Sequence, residues 1–229
     1  MYRYFEDKAF LNEANQKCAD IVNRLVQKLR KEGYSAWFFV IGSRHRNMIT
    51  QNEEGKIDFD YNVVIDNVMN TISYHPERIK KDVMRLLGEV LYDIGEPDCG
   101  DSTSSIYVNP MRLKGRKTEF SLDIGIVTYD GFGQMNRLKH DKSGPYWGRA
   151  FWNQVKDSKD LDKKEKALKP KHWHKVRDAY LRKKNDYLTK NDYDHPSYVC
   201  YIEAVNDVYN ECFPDNSINA VFFRRTVLM

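Results

Sequence analysis

The amino-acid sequence predicts an α+β protein, with a mixed β-sheet flanked by helices and a C-terminal helical region after it. Three observations carry that expectation. An amphipathic helical pattern opens the chain, short apolar and alternating runs of strand character recur up to Val127, and charged segments of helical periodicity fill the sequence beyond about residue 130. The division is drawn at residue 135, giving a core over 1–135 and a helical part over 136–229.

The first helix is expected over residues 7–32, where Ala14, Cys18, Ile21, Val22, Leu25 and Leu29 recur at steps of one, three and four and Gly33 follows as a stop signal. Ala36-Trp37-Phe38-Phe39-Val40-Ile41 is a continuous run of mostly aromatic and β-branched residues that ends at Gly42-Ser43, as a buried strand ends in a turn. A polar stretch from Arg44 to Gly55 leads to Lys56–Ile65, where the period becomes two. Ile57, Phe59, Tyr61 and Val63 share one face there, and Asp58, Asp60 and Asn62 share the other. Pro76 at a first helical position, with the stripe Ile79, Val83, Leu86, Leu87, Val90 and Leu91, predicts a second helix over 76–93. Ser105–Val108 and Lys117–Val127 read as further strands, the first ending before Pro110. The turn Lys142-Ser143-Gly144-Pro145 is expected to part core from tail, and helices over Lys171–Asn185 and Pro196–Asn210 to follow.

A share of 41% hydrophobic and 31% charged residues is too rich in core formers for a disordered chain and too charged for a membrane protein. No run is long enough to span a bilayer, and Met1–Lys8 lacks the apolar stretch of a secretory signal, so the expected location is the cytoplasm, with no membrane partner. Cys18, Cys99, Cys200 and Cys212 are scattered without a Cys-x-x-Cys pair and read as buried thiols. Neither Cys200/Cys212 nor His172/His174 has the spacing of a helical metal pair, and no metal is assigned to them.

The net charge of +4 conceals a basic segment. Lys156–Lys190 holds thirteen Lys or Arg against six Asp or Glu, which suits a phosphate-rich partner or an ordinary solvated helix face. Within it, His172-Trp173-His174-Lys175 interleaves aromatic and basic side chains as an RNA-contacting surface does, although a tryptophan so placed is more often a helix-packing residue.

The chemistry concentrates in the core. Reaction at a nucleoside triphosphate requires that phosphate charge be neutralised, which divalent cations held by hard oxygen ligands achieve. Asp58 and Asp60 would present carboxylates side by side, and Asp123, within Ser121-Leu122-Asp123-Ile124, could complete the cluster from an adjacent strand. Crowded carboxylates raise one another's pKa and need a metal, a proton or a cationic partner, for which Lys56 and Arg44 are the local candidates. Gly42 lets the backbone approach a phosphate, Ser43 adds a hydroxyl at a helix start, and Arg44 and Arg46 are close enough to share phosphate charge.

In order and in context, the strand ending at Gly42-Ser43, then Asp58-Phe59-Asp60, then Leu122-Asp123-Ile124 resemble the DNA polymerase β-type nucleotidyltransferase superfamily over about residues 35–127. The preceding helix and the helical tail make the chain similar to small bacterial nucleotidyltransferases and to oligoadenylate-synthase-like enzymes. The Ser43–Asp58 segment is at the long end for that family.

The resemblance implies a nucleotidyltransferase-like core and an enzyme that moves an NMP from an NTP, ATP among them, to an acceptor hydroxyl. Two Mg²⁺ ions, or Mn²⁺, would assist, and pyrophosphate would leave. It implies that Gly42, Ser43 and Arg44 grip the nucleotide, that Asp58 and Asp60 bind both metals, and that Asp123 serves the catalytic metal and the acceptor side. The acceptor stays open among a small molecule, a nucleotide, a protein and RNA. The alternative is a catalytically inactive nucleotide-binding or regulatory relative of the same fold. Metal-dependent nucleases also gather carboxylates, but no Glu-x-Lys follows Asp58 or Asp123.

Overall fold

The computed structural model describes residues 1–66, 75–142, 148–155, 160–192 and 197–214. Its elements are β1 (Tyr2–Tyr4), α1 (Lys8–Lys31), β2 (Ala36–Ile41), α2 (Gly42–His45), β3 (Thr50–Asn52), β4 (Ile57–Ile65), α3 (Pro76–Asp93) and β5 (Cys99–Asp101). There follow β6 (Ile106–Arg112), β7 (Glu119–Tyr129), β8 (Met135–His140), β9 (Ala150–Gln154), α4 (Leu161–Leu168), α5 (Trp173–Thr189) and α6 (Ser197–Cys212). They form two compact units, one over Tyr4–Val155 and one over Lys156–Met229 with Met1–Arg3.

The larger unit is built on a seven-stranded sheet in the order β2-β4-β7-β6-β5, with β8 on β7 and β9 on β8. Only β4 and β7 are parallel among these pairs, so the sheet is mixed, as expected. Helix α1 starts where the Asp7 side chain accepts from the Phe10 N–H at 2.9 Å, and it carries Lys28, Arg30 and Lys31 in its last turn, where cations offset the helix dipole. Its stripe from Phe10 to Leu29 is buried, as is the stripe Ile79–Leu91 of α3, which enters through Pro76. Both stripes share one core with Ile57, Phe59, Tyr61 and Val63 of β4 and with Phe120, Leu122, Ile124 and Ile126 of β7. The Tyr61 hydroxyl, carried into that core, donates to the Asn15 side chain of α1 at 3.0 Å. One sheet face is thereby committed to the helices.

Two expectations are corrected here. Strand β6 does not stop before Pro110 but runs to Arg112; its ladder to β7 shifts register between Val108 and Met111, and that irregularity accommodates a residue with no N–H to give. The sequence beyond residue 130 is not helical at once, because β8 and β9 extend the sheet. Of β8 only Leu138 and Asn136 are buried, so too little apolar alternation shows for a strand to be read. The turn expected to part core from tail falls, from Ser143 to Pro145, outside the described residues; β8 and β9 on its two sides pair antiparallel. The polar stretch from Arg44 to Gly55 also holds structure, the short α2 and β3.

In the second unit α5 and α6 lie where helices were expected, although Pro196, the expected start of α6, lies outside the described residues. Much of the basic charge is answered within this unit: Lys183 by Asp207 at 2.8 Å, Lys175 by Glu211 at 2.7 Å, and Lys169 by Glu165 at 3.3 Å. Trp173 packs edge-on to Tyr201, its ring centroid 6.5 Å away, and His172 edge-on to Phe213 at 6.0 Å. Trp173 therefore makes a contact of the helix-packing kind while staying only partly buried. Among the described residues no helix is long and apolar enough to cross a membrane.

Phe120 stands edge-on to both Phe59, at 6.0 Å, and Phe10, at 6.1 Å, and is fully buried. Phe120→Ala removes a ring that joins α1, β4 and β7, and urea denaturation should show a loss of about 3–5 kcal/mol.

Candidate functional site

Parallel pairing of β4 with β7 sets Asp60 opposite Asp123 and Asp58 opposite Ser121, while β2 on the other side of β4 sets Ile41 opposite Asp60. Because side chains alternate, the core claims Phe59 and Tyr61, and Asp58, Asp60 and Asn62 project from the other face. Their partners Ser121, Asp123 and Gly125 project with them. The sheet thus brings the three expected carboxylates together on two neighbouring strands.

Their environments differ. Asp60 is half-buried, and its pKa is pushed up from 3.8 to about 7, first by burial and then by the charges of Asp123 and Asp58, with Arg137 and Arg46 opposing. Asp123 is also pushed up, by burial and by Asp58, and drawn back by a hydrogen bond from the Ser105 hydroxyl at 3.2 Å and by Lys56. Asp58 is more exposed. Its Oδ1 accepts from the Ser121 hydroxyl and lies 3.5 Å from the Lys56 ammonium, which itself donates to Ser121 at 3.2 Å. Lys56 therefore does become a cationic partner of the cluster, through Asp58.

The turn after β2 is pressed against this face. Gly42 has φ +66°, and a Cβ built there would collide with Asp60 Oδ2, so both the left-handed backbone and the lack of a side chain are required. It opens α2, with Ser43 next; the Ser43 carbonyl accepts from the Met48 N–H at 2.8 Å. Arg44 does not turn to the aspartates: its guanidinium donates to Asn12 on α1 at 2.8 Å. Arg46, which donates to the Gly42 carbonyl at 3.1 Å, is the arginine of this turn whose charge acts on Asp60.

Arg137 of β8 was not legible in the sequence. Half-buried, it donates to the Asn62 side chain at 2.9 Å, and its charge is felt by Asp60, while burial lowers its own pKa. Gly125 makes the room, since a Cβ there would stand 2.6 Å from Asn62 Oδ1 and 3.2 Å from Arg137 Cζ. Asn62 could have been suspected from its place on the aspartate face. Arg137 and Ser105 carry no local signal, because pairing across the sheet delivers them.

The donor set suits a hard divalent cation: carboxylate oxygens, two of them held above their ordinary pKa by burial and by the neighbouring carboxylates. As the side chains lie, no three His, Cys, Asp or Glu among the described residues are disposed to hold a metal; Asp58 is drawn to Ser121 and Lys56. A cation would have to recruit it from there.

The larger unit carries Gly42-Ser43 after β2, Asp58 and Asp60 on β4 and Asp123 on its parallel neighbour β7, and the chain shares its fold with solved structures of nucleotidyltransferases. The chain is similar to CdnC of E. coli MS115-1, seen in complex with HORMA-deltaN, with TM-score 0.54 and 16% identity over 87% of this chain and 60% of that one. It is similar to the cyclic dinucleotide synthase CdnE of Elizabethkingia meningoseptica with GTP and Apcpp, with TM-score 0.51 and 15% identity over 90% and 75%. It is also similar to the Vibrio cholerae cyclic AMP-GMP synthase DncV with the linear intermediate pppA(3′,5′)pG, with TM-score 0.51 and 12% identity over 83% and 52%. Against a Bradyrhizobium diazoefficiens CdnG the chain spans 41% of the other's length, and against two other DncV structures 44% and 45%. No family model and no curated protein sequence matches it.

Two outcomes follow from this geometry. Since the folded pKa of Asp60, about 7, exceeds the ordinary 3.8, the folded chain holds that proton more tightly than the unfolded one. In metal-free buffer stability should then be full at pH 4 and fall as the pH rises towards 7. Asp60→Asn should reduce that slope, leaving the part due to Asp123, and gain on the order of 2 kcal/mol over wild type at pH 8 and little at pH 4, as measured by denaturation at the two pH values. Gly42→Ala should cost about 1–2 kcal/mol for the left-handed backbone alone, with a further loss as Asp60 is displaced, read as a lowered melting temperature.

Proposed function

We propose that the chain is a nucleotidyltransferase that moves an NMP from an NTP to an acceptor hydroxyl and releases pyrophosphate. The observation that carries this reading is the register of Asp60 against Asp123, with Asp58 one alternation away and the Gly42 backbone packed on Asp60. Asp58 and Asp60 would hold Mg²⁺ or Mn²⁺ at the α-phosphate, and Asp123 would join them while orienting the acceptor hydroxyl and taking up its proton. The bound cations would supply charge neutralisation to the triphosphate and to the developing oxyanions. Gly42 and Ser43, at the start of α2, would offer backbone N–H groups and a hydroxyl to the departing pyrophosphate, with Arg46, whose charge acts on Asp60, in the same turn. Arg137 and Arg46 temper the repulsion among the aspartates, which keeps them available to a cation at neutral pH.

Neighbours described with GTP, Apcpp and a linear dinucleotide favour a second nucleotide as the acceptor. The alternative, a nucleotide-binding relative without transfer, is favoured by one observation, the engagement of Asp58 by Ser121 and Lys56.

Incubation with labelled NTPs, singly and in pairs, with Mg²⁺ or Mn²⁺ should release pyrophosphate and yield a labelled nucleotide product. Asp58→Asn and Asp123→Asn should each lower that rate about 100-fold or more while keeping or raising the melting temperature, because each removes charge from a repelling set. Full activity in either variant sinks the assignment. Metal-stimulated NTP binding with no pyrophosphate release selects the inactive relative.

A further inference from the structure

The hairpin turn between β5 and β6 places no residue in the hydrophobic core, yet it is tied down by a dense set of hydrogen bonds and ion pairs. At its tip the Ser102 hydroxyl lies 2.8 Å from the Ser105 hydroxyl, the Ser105 N–H donates to Ser102 Oγ at 3.1 Å, and the Ser102 N–H donates to the Ser105 carbonyl at 3.0 Å. At its base the Asp101 carboxylate ion-pairs with the buried Lys80 of α3 and stands 2.5 Å from His140 Nδ1 of β8. Lys80 also donates to the Ser102 carbonyl at 3.3 Å, Lys142 donates to the Asp101 carbonyl, and the His140 N–H donates to the Thr103 carbonyl at 2.8 Å. Helix α3 on one side and strand β8 on the other thus grip a four-residue loop. The group this loop delivers is the Ser105 hydroxyl, 3.2 Å from Asp123 Oδ1.

A lone serine on a surface turn needs no such anchoring. A carboxylate that must offer one oxygen to a cation or a hydroxyl does need its other oxygen fixed, since an aspartate free to rotate loses orientation each time its ligand leaves. We propose that Ser105 is a positioning residue for Asp123, and that the Lys80–Asp101–His140 clamp holds the turn that presents it. This rests on the nucleotidyltransferase reading for its role in transfer, but the predicted effect on cation binding can be read by itself. Ser105 holds one carboxylate oxygen of Asp123 by a hydrogen bond, which leaves the second directed to the cation and the acceptor.

The experiment uses the full chain and titrates Mn²⁺ by the loss of its free EPR signal, alongside pyrophosphate release and thermal melting. Ser105→Ala should weaken Mn²⁺ binding about tenfold and lower kcat more than it raises the nucleotide KM, with the melting temperature nearly unchanged. Ser105→Thr, which keeps the hydroxyl, should restore both towards wild type. Asp101→Asn, which weakens the clamp but leaves Ser105 in place, should reproduce the Ser105→Ala effect in part. Wild-type Mn²⁺ affinity in Ser105→Ala overturns the positioning role, and a melting-temperature loss without a change in affinity assigns Ser105 to folding alone. Wild-type affinity in Asp101→Asn overturns the clamp. A wild-type chain that binds Mn²⁺ but transfers nothing fails the proposed function while leaving Ser105 to be judged by the affinity ratio; a chain that binds no Mn²⁺ overturns both.

Discussion

Everything at the candidate site depends on the parallel ladder between β4 and β7. Its register pairs Asp60 with Asp123 and Phe59 with Leu122, so one interaction sorts the apolar side chains towards α1 and α3 and the carboxylates away from them. Side chains alternate with a period of two, and a slip of one residue would put Asp123 into the apolar core and Leu122 or Ile124 among the aspartates. Burial of Phe59, Tyr61, Phe120, Leu122 and Ile124 therefore does more than stabilise the sheet. It fixes which oxygen atoms can meet.

The price of that arrangement is local repulsion, and the surroundings are built to limit it. A serine donates to Asp58, another to Asp123, Lys56 sits beside the first, and Arg137 and Arg46 act on Asp60. Two glycines make this packing possible, Gly42 against the Asp60 carboxylate and Gly125 beneath the Asn62–Arg137 pair. In each case the backbone comes closer than any Cβ would allow. A set of like charges so hemmed in costs the fold stability, a common compromise at functional sites.

How far the sequence could be read varied with how local the signal was. Helices α1 and α3, strand β2 and strand β4 were legible to within a residue or two, because each displays its own apolar period and its own end signal in Pro76, Gly33 or Gly42-Ser43. Strands β8 and β9 were not, since a strand at the border of a sheet has its hydrogen bonds supplied by a neighbour, and β8 is mostly polar while β9 buries only Ala150. Arg44 illustrates the same limit on the side-chain level: its sequence position made it a candidate partner of the aspartates, and the fold sets its guanidinium on Asn12 while the charge of Arg46 acts on Asp60.

The sequence by itself determined the α+β class, the two faces of β4 and the shared direction of Asp58 and Asp60, because alternation along one strand is a property of the backbone and needs no partner. Tertiary structure decided the rest of the site. Whether Asp123 stands beside Asp60, whether Arg46 or Arg44 serves the turn, and whether Ser105 and Arg137 join at all are settled by pairings between residues up to many tens of positions apart. Such pairings are fixed by packing of the whole unit, and no local spacing encodes them.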